Sequence, residues 1–252
     1  MNGCRNWGLW CVIVLVGIAT ASADDPPDVE LLKQFRSEFV RVAPGQGMFP
    51  VKQIVSAADE QGDVQTIEVT FDQPFEICKY ETTQEIWQLI MKQNPSRWQG
   101  VRNSVEMVSC VESREFCQRM TRLLREYQLL PQNLEVRLPT ESEWEYCVRA
   151  GAKTTYCFGD DQAALGDHAW FTANAAGNDP PVGAKRANKW GLFDMHGYVW
   201  EWCESADGTA VLRGGSWKDS ADRLACSFRR IEKETLRDDA VGFRCVIGAV
   251  RN

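Results

Sequence analysis

The most unusual stretch of the chain is Trp190-Gly-Leu-Phe-Asp-Met-His-Gly-Tyr-Val-Trp-Glu-Trp-Cys203. Three tryptophans, two carboxylates, two glycines and a cysteine in one short run are far from average composition. Gly197 lets the backbone turn tightly, so that oxygens of Asp194 and Glu201 and nearby carbonyls can converge on a hard cation such as calcium. Alternatively, the tryptophans form core and the two carboxylates cap backbone amides. Spacing alone leaves both interpretations open.

The composition is that of one folded domain. The chain has 252 residues, 44% of them hydrophobic, which is enough for a domain with its own core. Its 28 basic and 35 acidic residues give a net charge of -7. This balance argues against a surface that binds nucleic acid through phosphate contacts, so we expect no nucleic-acid partner.

The N-terminus has the features of an export signal. Arg5 precedes an apolar run over Leu9–Ala19, and Ala21-Ser-Ala23 has the small-x-small form of a signal-peptidase site. An apolar run of this length is too short to span a bilayer, so we expect no stable membrane insertion after cleavage and a secreted or periplasmic mature protein. The predicted boundaries are 1–23 for the signal peptide, 24–43 for an N-terminal lead-in and 44–250 for the domain.

Local patterns predict several elements. Three capping boxes indicate helix starts: Thr82 with Glu85, Ser109 with Glu112, and Thr140 with Glu143. The first predicts a helix that begins at Thr83. Alternation over Gln65–Phe71 predicts a half-buried strand, and the Gly, Ala, Asp, Asn and Pro content of Gly151–Lys189 predicts loops.

Four ordered blocks of the chain resemble one protein family. Besides the opening stretch they are Arg137-Leu-Pro-Thr-Glu-Ser-Glu-Trp-Glu-Tyr146, Arg213-Gly-Gly-Ser-Trp217 and Val241-Gly-Phe-Arg-Cys245. Together they are similar to the sulfatase-modifying-factor family, whose founding members are the formylglycine-generating enzymes. The resemblance extends from about Pro44 to Ile247. It implies an α+β fold, a C-type-lectin-like variant with little regular secondary structure and long loops.

The resemblance also raises the question of activity. Oxidases of this family bind copper through two cysteines shortly after the Gly-Gly-Ser block and convert a sulfatase cysteine to formylglycine. Here no cysteine lies between Gly215 and Cys226, so we expect no copper and assign no catalytic residue. The favoured interpretation is a secreted binding or accessory module without oxidase activity, with a protein or peptide ligand. The alternatives are a copper-dependent oxidoreductase that uses displaced cysteines and a structural, calcium-stabilised module.

Candidate site residues follow from the same resemblance. The calcium site of the family corresponds to the side chains of Asp194 and Glu201 and the backbone carbonyls of Gly197 and Val199. The residues that line the substrate groove of the family correspond to Trp200, Ser216 and Arg229. Calcium is therefore the expected cofactor.

The cysteines predict disulfides. Eight of the ten lie beyond the predicted leader, an even number in a chain with an export signal. The resemblance pairs Cys117 with Cys245 and Cys147 with Cys226. The remaining cysteines allow three pairings, among which we favour Cys78 with Cys110 and Cys157 with Cys203.

Overall fold

The computed structural model describes residues 28–58, 64–176, 180–205 and 207–250, so the predicted signal peptide lies outside the described residues. The helices are α1 (Val29–Ser37), α2 (Gln84–Met91), α3 (Cys110–Glu126), α4 (Glu141–Arg149) and α5 (Leu165–His168), with short 3-10 turns at Gln162–Ala164 and Ala221–Leu224. The strands are β1 (Phe39–Val42), β2 (Lys52–Ala58), β3 (Val64–Thr70), β4 (Phe75–Cys78), β5 (Leu134–Arg137), β6 (Trp200–Glu204), β7 (Ala210–Arg213), β8 (Arg229–Ile231), β9 (Val241–Gly242) and β10 (Val246–Ala249). The arrangement is the mixed α+β fold that the resemblance implies.

Two four-stranded sheets and one hairpin organise the chain. The first sheet has the order β1-β4-β10-β5 and is antiparallel, so the C-terminal strand lies at its centre. The second has the order β8-β7-β6-β9, with β6 and β9 parallel. Because β6 carries the end of the opening stretch, this second sheet positions the candidate site.

Two of the three predicted capping boxes form. Ser109 caps α3 and exchanges hydrogen bonds with Glu112, and Thr140 does the same with Glu143 at the start of α4. Each box satisfies backbone N–H groups that the first helical turn leaves without partners. The predictions for these two helix starts are confirmed.

The prediction for the start of α2 is wrong by one residue. The N-cap is Thr83, which makes no side-chain cap hydrogen bond, and the helix begins at Gln84. Thr82 is held by tertiary contacts, because its N–H donates to the carbonyl of Phe243 and its hydroxyl contacts the Cys245 sulfur. These contacts remove Thr82 from the capping position.

The central core lies between the helices and the second sheet. Trp87 stacks on Phe116 with ring centroids 5.5 Å apart, and Phe243 packs edge-on against both rings. Leu32 and Phe35 of α1 belong to the same cluster. Residues from 28 to 43, which the sequence assigned to a lead-in, thus pack on the body of the domain from α1 onward.

The β2–β3 hairpin differs from its prediction. The strand predicted at Gln65–Phe71 is present as β3, but Ile67 is 59% exposed and is not half-buried. Its partner Val55 on β2 is buried. The reason is that β3 pairs only with β2 among the described strands, so β2 lies between it and the rest of the domain.

Candidate functional site

The opening stretch forms a buried turn that leads into β6. Asp194, Gly197 and Tyr198 all have positive φ angles, of 54°, 79° and 63°. A Cβ atom at Gly197 would lie 2.2 Å from the carbonyl oxygen of Trp170, so only glycine fits there. The Gly197 N–H donates to the carbonyl of Gly214 over 2.9 Å, which ties this turn to the Gly-Gly-Ser block.

Glu201 joins the other sequence blocks. The guanidinium of Arg244, from the Gly-Phe-Arg-Cys block, binds both carboxylate oxygens of Glu201, each over 2.6 Å. The indole N–H of Trp144 on α4 donates to the same carboxylate over 2.8 Å. All three side chains are buried, so three of the four blocks meet around one ion pair, and the fourth is joined to them through the hydrogen bond between Gly197 and Gly214.

Two further carboxylates lie near this ion pair and have oxygens without hydrogen-bond partners. Asp194 Oδ2 accepts from the Gly183 N–H over 2.6 Å, whereas its Oδ1 and both oxygens of Glu81 have no partner. Burial raises the pKa of Asp194 to about 6 and the pKa of Glu81 well above its usual range. Arg244 thus forms ion pairs with Glu201 over 2.6 Å and with Glu81 over 3.7 Å, while Asp194 is held by the Gly183 amide.

The expected calcium ion would have to use this donor set. Unpartnered carboxylate oxygens in a buried cluster of net negative charge are the groups that calcium takes as ligands. The described residues contain no group of three or more His, Cys, Asp or Glu side chains arranged to hold a metal ion. Calcium at Asp194 and Glu201 would therefore need backbone carbonyls as well, as expected for Gly197 and Val199. The sequence reasoning missed Glu81, whose local pattern gives no sign of a buried carboxylate.

Trp200 and Ser216 come together around a residue that was not predicted. The Trp200 indole N–H donates to Asp219 Oδ2 over 2.8 Å, and the Ser216 hydroxyl donates to the same oxygen. The guanidinium of Arg230 lies 5.4 Å from the centre of the Trp200 ring. Asp219 lies in the segment after the Gly-Gly-Ser block, where the resemblance leads one to look for cysteines.

The structure separates Arg229 from Trp200 and Ser216. Neighbouring residues of a strand point to opposite faces, so Arg229 points away from the face on which Arg230 covers Trp200. Its Nε lies 2.8 Å from a carboxylate oxygen of Glu141, and it lines a cleft of about 290 Å³. Arg229 thus belongs to a different surface.

The eight cysteines of the described residues are free, buried thiols, none more than 5% exposed. Burial raises the pKa of four of them to about 12: Cys78, Cys110, Cys157 and Cys226. The thiols of Cys117 and Cys245 contact each other directly, as their predicted bridge requires. The nearby Cys157 thiol also raises the pKa of Cys226. All the predicted bridges remain predictions.

The side chain of His196 makes structural hydrogen bonds to the backbone of two loops. Its Nε2 accepts from the Cys157 N–H over 3.2 Å, which places the proton on Nδ1, and Nδ1 donates to the carbonyl of Leu224 over 2.7 Å. Burial lowers the pKa of His196 to about 4. The ring is therefore neutral at physiological pH and connects two loops.

Comparison with protein families identifies the family of this chain. Residues 29–249 match the family described as the sulfatase-modifying factor enzyme 1-like domain. The chain belongs to this family.

No helix among the described residues is long and apolar enough to cross a membrane.

Similar proteins of this family differ in their named activities. The domain is 43% identical over 154 residues to the formylglycine-generating enzyme of Mycobacterium tuberculosis, covering 45% of this chain and 52% of the enzyme. It is 36% identical over 143 residues to the inactive C-alpha-formylglycine-generating enzyme 2 of Bos taurus, covering 46% and 45%. It is 29% identical over 208 residues to the chaperone protein LppX of Paenibacillus barcinonensis, covering 61% and 73%. The matches to the two enzymes thus span about half of each.

A solved structure supports the fold assignment. The Treponema denticola variable protein 1 matches with a TM-score of 0.71 and 24% sequence identity, over 84% of this chain and 95% of that protein. At this identity the likeness establishes the fold, which is the one expected from the sequence blocks.

Proposed function

We propose that this sulfatase-modifying-factor domain is a binding or accessory module of an exported protein and that it does not oxidise cysteine. The observation that carries the proposal is the burial of every thiol among the described residues. A copper oxidase must present a pair of thiolates to the metal and to its substrate. Thiols that are buried and have raised pKa values do not meet that need.

The segment after the Gly-Gly-Ser block supports the same conclusion. Its Asp219 carboxylate accepts hydrogen bonds from Ser216 and Trp200. A carboxylate is a hard ligand and a poor substitute for the sulfur that copper(I) prefers. The residues at this place therefore do not fit copper, and no redox step is assigned to them.

A protein or peptide ligand would meet this part of the domain at Arg230, which covers the buried Trp200 ring. The Trp200 ring is buried, the guanidinium of Arg230 lies over it, and the side chain of Asp219 is 11% exposed. The relatives named as an inactive enzyme and as a chaperone are consistent with a family member that binds without catalysis. The predicted leader favours a location outside the cytoplasm.

Calcium is proposed as the structural ion of the domain. Asp194 would hold it with the carbonyls of Gly197 and Val199 and with Glu81, and Glu201 would join by giving up hydrogen bonds that its oxygens accept from Arg244 and Trp144. When bound, the ion would neutralise a buried negative cluster and supply no redox chemistry. The residues of the chain fix the turn that carries the carbonyls.

Thiol titration tests the proposed function. The native protein is mixed with a chromogenic disulfide reagent, and a second sample is unfolded in guanidinium chloride first. We expect slow or no reaction in the native sample, since the described thiols are buried. The alternative is an oxidoreductase, and the similarity to the mycobacterial enzyme favours it. Rapid reaction of two thiols in the native protein, together with successful competition for copper(I) against a chelator, would support this alternative.

A further inference from the structure

A second cleft, of about 280 Å³, lies between the β2 edge of the hairpin and the C-terminal end of α4. The side chains that matter for its chemistry are Lys52, Ser56, Glu68, Arg149 and Lys153. None of them belongs to the turn around Asp194 or to the cluster around Asp219. The cleft is therefore a separate site.

Arg149 gives the cleft a fixed cationic wall. Its side chain is only 9% exposed, and its Nε donates to Glu145 over 2.8 Å. Its Nη1 donates to the carbonyl of Thr154 over 3.2 Å. Its Nη2 makes no hydrogen bond within the described residues, so one donor of a well-held guanidinium remains for a ligand.

The edge of β2 adds a backbone donor. The Ser56 N–H points away from β3 and donates to Glu145 over 2.8 Å. In an antiparallel pair, backbone groups alternate between the two edges of a strand, so the Ile54 N–H points to the same side as that of Ser56. Ile54 also lines the cleft, so its amide, on the same edge of β2 as that of Ser56, is a further candidate donor.

The charge around the cleft is positive, in contrast to the net charge of -7 of the whole chain. Lys52, Arg149 and Lys153 face a single lining carboxylate, that of Glu68. Lys52 pairs with Glu68 over 2.7 Å, but both side chains are more than half exposed, so the pair is weak. Lys153 is exposed and has no ion pair within the described residues.

Glu145, which lies behind Arg149, does not cancel this charge. Its second oxygen accepts from the fully buried Arg213 over 2.6 Å, so its carboxylate is shared between two guanidinium groups. The candidate donors of the cleft are therefore one arginine nitrogen, two lysine ammonium groups and the Ile54 amide.

We infer that this cleft binds a small molecule through a phosphate or sulfate group. A tetrahedral oxyanion accepts several hydrogen bonds at once and matches these donors, beside which Glu68 is the one lining carboxylate. The cleft is larger than a bare oxyanion needs, which leaves room for an organic part beside Ile54.

The test uses the whole mature protein, labelled with nitrogen-15, and inorganic phosphate as the probe. We expect phosphate to shift the amide resonance of Ile54 in a saturable way, and the affinity to fall as sodium chloride is raised. Glycerol 3-phosphate, with glycerol as the uncharged comparison, separates binding of the free ion from binding of an ester. Glycerol alone should cause no shift.

The matched variants are Lys153→Glu and Lys233→Glu. Both lysines are exposed and both substitutions change the net charge equally, but Lys233 does not line the cleft. We expect Lys153→Glu to weaken phosphate binding about tenfold or more and Lys233→Glu to change it less than about twofold. Equal weakening by both variants, or no saturable shift at Ile54 with either phosphate compound, would overturn the inference.

Discussion

At the scale of single residues, buried polar groups decide the chemistry of this domain. The sequence allowed Asp194 and Glu201 to be assigned to one candidate site, because they lie close together on either side of a glycine-containing turn. It did not reveal Glu81 or Arg244 as their neighbours, since both arrive from distant segments. Local spacing predicts convergence within a loop, whereas contacts between strands depend on the assembled sheets.

His196 should make the stability of the domain depend on pH. Its pKa falls from an ordinary value near 6.5 to about 4 on folding, because the buried ring loses water. The unfolded chain therefore takes up the proton first, and stability that is complete above pH 6.5 is lost as the pH falls toward 4. The loss at this one group is up to about 3 kcal/mol of unfolding free energy.

Urea unfolding between pH 4 and 7 measures this effect. His196→Gln should remove much of the slope, whereas His168→Gln, at a less buried ring, should keep it. A slope that is unchanged in His196→Gln would show that other groups cause it.

Calcium should stabilise the domain through the orphaned oxygens near Glu201. Adding calcium after treatment with EDTA should raise the melting temperature by several degrees, because the ion binds only the folded state. Asp194→Asn removes one charge from the buried cluster and should abolish most of this response while the protein stays folded. If calcium does not change the melting temperature of the unaltered protein, the proposed ion site is wrong.

At the scale of elements, the sequence predicted helix starts well where the capping contacts are local. Both partners of the α3 box lie within one turn, so the pattern contained the whole interaction. At α2, Thr82 instead makes contacts with Phe243 and Cys245, so it does not cap the helix. The exposure of Ile67 has a similar origin, because alternation indicates a strand but not how many layers cover it.

Ser109→Ala tests the contribution of a predicted cap. The substitution removes the side-chain acceptor for the Glu112 N–H and should lower the free energy of unfolding by about 1 kcal/mol. Ser142→Ala, on the first turn of α4, makes the same chemical change at a half-buried hydroxyl that has no hydrogen-bond partner in the described part of the chain, and it should have a smaller effect. Equal losses, measured by urea unfolding, would contradict the capping account.

At the scale of the whole molecule, the four sequence blocks are parts of one interior. Arg244 binds Glu201, Trp144 binds the same carboxylate, and Gly197 contacts the backbone of Gly214. The family resemblance predicted the fold because these blocks must meet for it to close. It did not predict the place of Arg229 or the burial of each thiol, since both depend on which face of a sheet or helix a side chain takes.

The central claim is that the domain has the interior of its family but no pair of thiols able to oxidise a substrate. The most direct measurement incubates the purified protein with copper and a reductant, adds a Cys-x-Pro-x-Arg peptide under oxygen, and follows the peptide by mass spectrometry. We predict that the cysteine of the peptide stays a thiol or forms only disulfides, as in a reaction without protein. Conversion of that cysteine to the aldehyde, dependent on the protein and on copper, would contradict the account.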